Sequence, residues 1–234
     1  MVGKIIEKKE VAQGTLKVVF EIKEPVSFKP GQYLFVTLIN PPYTDEKGNK
    51  RQFSINNSPN QKNILIMTTR ITESAFKKSL KELPIGTPVE IGPIAGVFTL
   101  PEDTGKPLVF IAGGIGITPF MSMLSYIAEE GPPYQITLVY SNRDQSSAAY
   151  TQEIEAFSKS IPNFKLILTM TDDPVWAGEK RKIDEQFIKD YFPNLNSNFY
   201  MVVGPPAMVE AVGNALTWAG VIQENIKKEN FTGY

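Results

Sequence analysis

The sequence predicts two domains, an N-terminal antiparallel β-barrel followed by an α/β domain with a parallel sheet. The first hundred residues contain short β-type segments separated by Pro–Gly turns, as in small barrels and sandwiches. After residue 106, strand-like and helix-like segments alternate, which is typical of βαβ units. The polar segment Pro101–Lys106 (PEDTGK) has the composition of a linker, so we expect domains over residues 1–101 and 102–234.

The N-terminal half is predicted to contain several strands and one helix. In Thr15–Ile22 every second residue from Leu16 onward is apolar, which gives the strand one apolar face. Further segments rich in β-branched and aromatic residues are Gln32–Ile39, Asn63–Arg70 and Thr87–Ile91. A short helix is expected around Ser74–Leu83.

The C-terminal half is predicted to alternate strands with helices. The predicted strands are Leu108–Ala112, Ile136–Tyr140, Phe164–Met170 and Phe199–Val203. The predicted helices are Pro119–Glu130, Ser147–Ser160, Asp184–Tyr191 and Pro206–Ala219. The uncharged stretch Pro107–Ala128 is long enough to span a bilayer, but the glycines between residues 113 and 116 would interrupt a helix. A buried strand, a glycine turn and a helix are therefore expected there.

Composition excludes several kinds of chemistry. The 234 residues include no cysteine and no histidine, so thiolate-bound clusters, cysteine zinc sites, histidine-bound haem and Ser–His–Asp triads are impossible. Redox chemistry would have to come from an organic cofactor, and no metal is expected. A net charge of −1 gives no general attraction to nucleic acid. The charged N-terminus is unlike a signal peptide, and we expect a cytoplasmic protein without a membrane span.

The most specific segment of the second half is Leu108–Pro119 (LVFIAGGIGITP). Glycines let the backbone approach a diphosphate, and the N-terminus of the following helix offers N–H groups and a positive dipole end. The segment differs from the G-x-G-x-x-G fingerprint because Pro119 stands at the third glycine position. On these residues alone, a tight strand-to-helix turn without a ligand is an equal alternative.

Two other segments are also of interest. In Arg51-Gln52-Phe53-Ser54 an arginine suits a diphosphate, an aromatic ring can stack on a planar ring, and a hydroxyl can bond a ring nitrogen. Taken alone, these four residues fit a surface arginine and a core phenylalanine better. The segment Gly204–Met208 follows a predicted strand at the sheet edge where α/β proteins bind ligands, although alone it is only a connection.

These three segments in this order resemble the ferredoxin–NADP reductase family, and the resemblance extends over nearly the whole chain. The family's R-x-[YF]-S motif is matched by Arg51, Phe53 and Ser54. The resemblance implies that Arg51 holds the FAD diphosphate, that Phe53 packs on the isoalloxazine and that Ser54 hydrogen-bonds near flavin N5. A second flavin segment is similar to residues 68–76. The implied FAD-binding residues are Arg51, Gln52, Phe53, Ser54, Thr68, Thr69, Arg70, Ser74, Ala75 and Phe76.

The nicotinamide motif of the family is similar to residues 113–119. The resemblance implies that NADPH or NADH contacts Gly114, Gly116, Thr118, Pro119, Gly204 and Pro205. Val203 stands where the family's C-G-P motif has its cysteine. The end of the chain is similar to branches in which an aromatic residue covers the flavin. Tyr234 is the candidate and Phe231 the reserve, with an ordinary frayed terminus as the alternative.

Ser141 and Arg143 bear on the choice of nicotinamide nucleotide. They end the second predicted strand of the α/β domain and would suit the 2′-phosphate of NADPH, because arginine binds phosphate in a fork. The neighbouring Asp144 is instead the kind of residue that holds the ribose of NADH. Arg143 could equally form a surface ion pair. The sequence favours NADPH and leaves NADH open.

The resemblance implies an enzyme, a flavoprotein reductase in which FAD takes a hydride from NADPH or NADH. Electrons would then pass to a separate acceptor such as ferredoxin, flavodoxin or an oxygenase component. Ser54 and Tyr234 would be the catalytic residues, and Glu229 is a candidate for a proton route. The alternatives are a reductase subunit that is active only in a larger complex, and a regulatory module that binds nucleotides without turnover.

Overall fold

A computed structural model describes residues 1–102 and 105–231. Within that range the chain packs as two compact units. The first consists of Met1–Leu100 and Thr118–Tyr126, and the second of Pro101–Ile117 and the chain from Ile127 onward. The assignment of residues 1–101 and 102–234 as domains stays a prediction.

The first unit is built on a six-stranded antiparallel sheet. Its strands are β1 (Val2–Ala12), β2 (Thr15–Ile22), β3 (Tyr33–Leu38), β4 (Lys50–Ser54), β5 (Ile64–Arg70) and β6 (Pro88–Ala95). Their order is β4-β3-β6-β1-β2-β5, and the edge strands β4 and β5 approach each other. The predicted barrel is thereby confirmed. Strand β1 is not apparent from the sequence, because charged residues hide its pattern and only Gly3 and Ile5 of it are buried.

The barrel core forms as the alternation in β2 predicts. Val18, Phe20 and Ile22 are buried in it, and Leu16 packs against it. Helix α1 (Ala75–Glu82) turns its apolar face to the same core, as expected of an amphipathic helix.

Lys8 on β1 holds the C-terminal end of α1. Its ammonium donates to the backbone carbonyls of Leu80, Lys81 and Leu83. These carbonyls have no partner within a helix, so the ammonium satisfies groups that would otherwise depend on water. Burial lowers the pKa of Lys8.

The segment after β4 is fixed by Asn57. Its side-chain oxygen accepts from the Ile66 N–H at 2.8 Å, and its amide nitrogen donates to the Ile64 carbonyl at 2.8 Å. Its backbone carbonyl accepts from the Ser122 hydroxyl at 2.7 Å. Because Asn57 ties the end of β4 to β5, it helps to position the Arg51–Ser54 segment.

The second unit contains a parallel sheet, as predicted, and this sheet has five strands. Its strands are β7 (Leu108–Gly113), β8 (Ile136–Asn142), β9 (Phe164–Met170), β10 (Phe199–Gly204) and β11 (Ile226–Asn230). Their order is β11-β10-β7-β8-β9, and every residue of β7 is buried. Strand β11 is not apparent from the sequence, because Ile226 is its only buried residue.

After β7, the described residues form four α-helices. They are α2 (Ile117–Glu130), α3 (Thr151–Ser160), α4 (Glu185–Tyr191) and α5 (Pro206–Ala219). The helix predicted from Ser147 begins only at Thr151, because Tyr150 is left-handed with φ 64°. Pro107–Ala128 forms a strand, a 3₁₀ turn and a helix, as predicted. Across residues 1–102 and 105–231, none of the helices has the length and apolar character needed to cross a bilayer.

Candidate functional site

On the barrel unit, the structure brings together candidate residues from two separate segments of the sequence. Arg51 and Phe53 lie on β4, which pairs with β3. The ring of Phe53 lies 5.6 Å from that of Phe76 at the start of α1, and the Arg51 guanidinium lies 5.5 Å from the same Phe76 ring. The two proposed flavin segments therefore meet on one side of the barrel.

Helix α1 begins with a capping serine. The Ser74 hydroxyl accepts from the Lys77 N–H at 3.3 Å, and the Ala75 N–H donates to the carboxylate of Asp45 at 3.1 Å. Asp45 also lies 3.5 Å from the Arg51 guanidinium. An acidic group is stabilised at this end of a helix by the unpaired N–H groups and the dipole. In the sequence, nothing marks Asp45 as part of this site.

Lys77 was also missed. It is only 9% exposed, and its pKa is lowered by burial and by the charges of Arg51 and Arg70. Three cationic side chains are therefore gathered around the first turn of α1. In the sequence, Lys77 and Lys78 look like one solvated pair, but Lys78 is exposed and lies over the Tyr43 ring at 4.2 Å.

The other predicted flavin residues differ in exposure. Ser54 is buried at the end of β4, whereas Gln52 is exposed. Thr68 and Thr69 are buried near the end of β5, and the Thr68 hydroxyl accepts from the Asn56 amide at 2.8 Å.

In the second unit, the ends of β7 and β10 meet closely. A Cβ on Gly116 would lie 2.4 Å from the Val203 carbonyl oxygen, and one on Gly204 would lie 3.3 Å from Gly113. Only glycine allows the backbone of the turn to lie against β10 in this way. Gly114 has φ 53°, and nothing lies within 4 Å of the position of its missing Cβ.

Thr118 and Pro119 lie in the first turn of α2 and are buried. Pro205 precedes α5, and the Gly204 carbonyl accepts from the Phe231 N–H at 2.9 Å. Phe231, which follows β11 in the chain, therefore lies beside the carboxyl end of β10. Tyr234 lies outside the described residues.

Ser141 and Arg143 lie at the carboxyl end of β8, and Arg143 is exposed. Asp144 is engaged locally, because its carboxylate accepts from the Ser147 N–H at 2.8 Å and from the Ser146 hydroxyl at 2.7 Å. These hydrogen bonds lower the pKa of Asp144. Asn142 is buried at the same strand end, and neither its amide oxygen nor its amide nitrogen has a hydrogen-bond partner.

Glu229 lies on β11 beside Val203 of β10. Its Oε2 is buried without a hydrogen-bond partner. Burial raises the pKa of Glu229 to about 7, against the opposing effect of the Lys227 charge. A carboxyl group with such a pKa can hold or release a proton near neutral pH.

Comparison with known proteins agrees with this architecture. Residues 110–214 match the model of the oxidoreductase NAD-binding domain. The reductase component 1 of Comamonas terephthalate 1,2-dioxygenase is 27% identical over 221 residues, covering 92% of this chain and 63% of that protein. A Bacillus subtilis flavohemoprotein is 28% identical, covering 96% of this chain and 56% of that protein. The chain spans about three fifths of the length of the curated relatives it matches.

Solved structures show the same fold over almost the whole chain. An Amycolatopsis cytochrome P450 reductase superposes with a TM-score of 0.84 at 25% identity, over 99% of this chain and 69% of that one. A Neisseria gonorrhoeae ferredoxin NADP⁺ reductase with bound FAD and NADP gives a TM-score of 0.82 at 20% identity, over 98% of each chain.

The chain thus combines a barrel unit with a cationic helix start and a parallel-sheet unit with a glycine turn, and it shares this two-unit fold with the reductase structures. Residues 110–214 carry the oxidoreductase NAD-binding domain, and over nearly its whole length the chain is similar to FAD- and NAD-binding reductases of the ferredoxin reductase type.

Proposed function

We propose that this chain is an NAD(P)H-dependent FAD reductase that delivers electrons to a separate acceptor. The observation that carries the proposal is the gathering of Arg51, Arg70 and Lys77 around the first turn of α1. A cationic cluster at a helix N-terminus suits a diphosphate. Such a cluster would be expected in a barrel that binds a flavin dinucleotide, and a barrel without a ligand would have no need of it.

FAD fits the residues that are present on the barrel. Arg51 and the N–H groups of α1 would hold the diphosphate, and Phe53 would pack on the ring system. The nicotinamide nucleotide fits the second unit, because Gly114 combines a positive φ with open space where a side chain would stand. The backbone can therefore approach a diphosphate closely at this turn.

FAD, when bound, supplies the chemistry of accepting a hydride from the nicotinamide and releasing electrons to an acceptor. The residues of the chain would bind and orient the reactants. Ser54 would hydrogen-bond near flavin N5, and Gly116, which lets the turn lie against β10, would set the position of the nicotinamide nucleotide. Glu229 would hold a proton at the carboxyl edge of the sheet, and Tyr234 would cover the flavin.

We propose NADPH as the preferred nucleotide. The exposed Arg143 suits a 2′-phosphate. Asp144, the residue that favours NADH in the sequence, already accepts hydrogen bonds from the turn that follows it. The local engagement of this carboxylate supports NADPH over NADH.

An oxygenase component is the proposed acceptor. The relatives include reductase components of terephthalate dioxygenase and phenol monooxygenase, and the electron transfer component of toluate dioxygenase. An oxygenase acceptor would also be compatible with a reductase subunit that is active only in a larger complex.

The test is the visible spectrum of the purified protein with FAD, followed by anaerobic titration with NADPH and then NADH. We expect a yellow protein that is bleached by NADPH at lower concentration than by NADH. Flavin binding without bleaching by either nucleotide would indicate a regulatory module or a missing partner. A protein that takes up no FAD contradicts the proposal.

The role of Arg51 is tested with Arg51→Ala. We expect FAD binding to weaken by about 10- to 100-fold, because charge-assisted hydrogen bonds to a phosphate contribute about 1.5–3 kcal/mol. Lys23→Ala, which removes an exposed cation from the same unit, is the matched control. Equal FAD affinity in the two variants would show that Arg51 does not hold the diphosphate.

A further inference from the structure

A carboxylate lies at the place where the proposed function puts the flavin diphosphate. Asp45 belongs to the loop between β3 and β4, and its Oδ2 accepts from the Ala75 N–H at 3.1 Å. Its Oδ1 accepts from the Lys47 N–H at 2.9 Å and lies 3.5 Å from the Arg51 guanidinium. One acidic side chain thus contacts both the start of α1 and the arginine of the R-x-F-S motif.

Arg51 is held by the same loop. Its Nη1 donates to the carbonyls of Lys47 at 2.7 Å, Gly48 at 3.0 Å and Lys50 at 2.7 Å. The loop therefore supplies hydrogen-bond acceptors, and Asp45 a negative charge, to a guanidinium that a diphosphate would also require. A diphosphate could not accept from the same N–H groups while the loop does.

The ends of this loop are anchored while Asp45 lies between the anchors. The Tyr43 N–H donates to the Ser79 hydroxyl at 3.0 Å, and that hydroxyl donates to the Tyr43 carbonyl at 3.0 Å. At the other end, the Leu38 N–H donates to the Asn49 carbonyl at 2.9 Å. Residues 44–48 are exposed, so this short segment can move without disturbing the barrel core.

The local charge favours exchange of one anion for another. Arg51 and Arg70 both act electrostatically on Lys77, and Asp45 is an acid in contact with Arg51. A diphosphate carries more negative charge than one carboxylate, so it can replace Asp45 with a gain in charge complementarity. Both anions cannot remain there, because like charges at contact distance repel.

We propose that Asp45 is an internal competitor for the flavin diphosphate, and that its carboxylate must leave Ala75 and Arg51 before the diphosphate binds there. The inference rests on the proposed function. The loop then lowers the affinity of the protein for FAD, and removing the charge of Asp45 tightens FAD binding. Riboflavin, which has no phosphate, gains nothing from the change.

The experiment measures dissociation constants of FAD and riboflavin by flavin fluorescence for the flavin-free full chain. The variants are Asp45→Asn and Asp45→Ser, with Glu46→Gln as the control that removes an exposed acid from the same loop. We expect both Asp45 variants to bind FAD about two- to fivefold more tightly than the natural protein, since removing one competing charge at an exposed helix N-terminus has an effect of that order. Riboflavin affinity and the control should not change.

Several results would contradict competition between Asp45 and the diphosphate. Weaker FAD binding by the Asp45 variants would show that Asp45 orients Arg51 for the cofactor, which overturns competition. An equal gain for riboflavin, or the same gain in Glu46→Gln, would also overturn it. If the natural protein and all variants bind riboflavin but not FAD, both the competition at Asp45 and the proposed function are refuted. If the proteins bind FAD but the Asp45 variants bind it with unchanged affinity, only the competition at Asp45 is refuted.

Discussion

Replacement of Glu229 by glutamine should change how the stability of the protein depends on pH. Glu229 is half-buried on β11, and its Oε2 has no hydrogen-bond partner. Burial therefore favours the neutral carboxyl group and raises its pKa from the ordinary value of a glutamate to about 7. Glutamine has nearly the same shape but carries no titratable charge, so Glu229→Gln isolates this effect.

The raised pKa determines the sign of the effect. Between about pH 4.5 and pH 7 the folded protein keeps a proton on Glu229 that the unfolded chain has lost. Stability therefore falls as pH rises through this window and is level above it. At about 1.4 kcal/mol per pH unit the shift corresponds to at most about 3 kcal/mol. Because the side chain is partly exposed, solvent screening reduces the expected loss to about 1–2 kcal/mol.

The assay is urea unfolding of both proteins at pH values from about 4.5 to 8.5, with the free energy of unfolding obtained by linear extrapolation. From the acidic to the basic end of this range, the free energy of unfolding of Glu229→Gln should increase by about 1–2 kcal/mol relative to that of the natural protein. Glu224→Gln, a change at an exposed acid of the same unit, is the control. A difference between Glu229→Gln and the natural protein that does not vary with pH would refute a raised pKa.

Three further changes test other parts of the molecule. Gly116→Ala places a Cβ 2.4 Å from the Val203 carbonyl oxygen. It should lower the free energy of unfolding by about 1–3 kcal/mol and weaken NADPH binding. Binding and unfolding curves equal to those of the natural protein would contradict this expectation. Arg143→Ala should raise the KM for NADPH about tenfold and leave that for NADH nearly unchanged, and an equal rise for both nucleotides argues against a 2′-phosphate contact. Lys8→Met removes the cation that caps α1 and should lower the free energy of unfolding by about 1–2 kcal/mol in thermal or urea denaturation, whereas no loss would show that water replaces the ammonium.

Much of the fold follows from local patterns in the sequence. The alternation in β2 predicts its buried face, and the fully apolar β7 followed by glycines predicts a strand of a parallel sheet. These patterns are visible because one periodicity, or continuous apolar character, runs through each segment. The strands β1 and β11 were missed because their exposed charged residues dilute that signal and each contains few fully buried side chains. Their partners in the sheet, rather than their own composition, determine that they are extended.

The motif residues of the candidate site could also be read from the sequence, since Arg51 and the glycines near residue 114 belong to short segments of fixed spacing. The tertiary structure decided which other residues join them. Lys77 and Lys78 are identical in type and adjacent, yet the helix turns one into the protein beside Arg51 and the other toward solvent.

Asp45 and Glu229 show the same limit of sequence analysis. The sequence shows each as an acid in a polar segment, but its chemical behaviour depends on groups that are distant in the chain. Asp45 lies next to the N–H of Ala75, and Glu229 lies beside β10, where burial raises its pKa. By itself, the sequence determined the class of fold and the two nucleotide-type motifs. Which charges are buried, paired or competing was decided only by the packing, because electrostatic energies depend on distance and solvent exposure rather than on order along the chain.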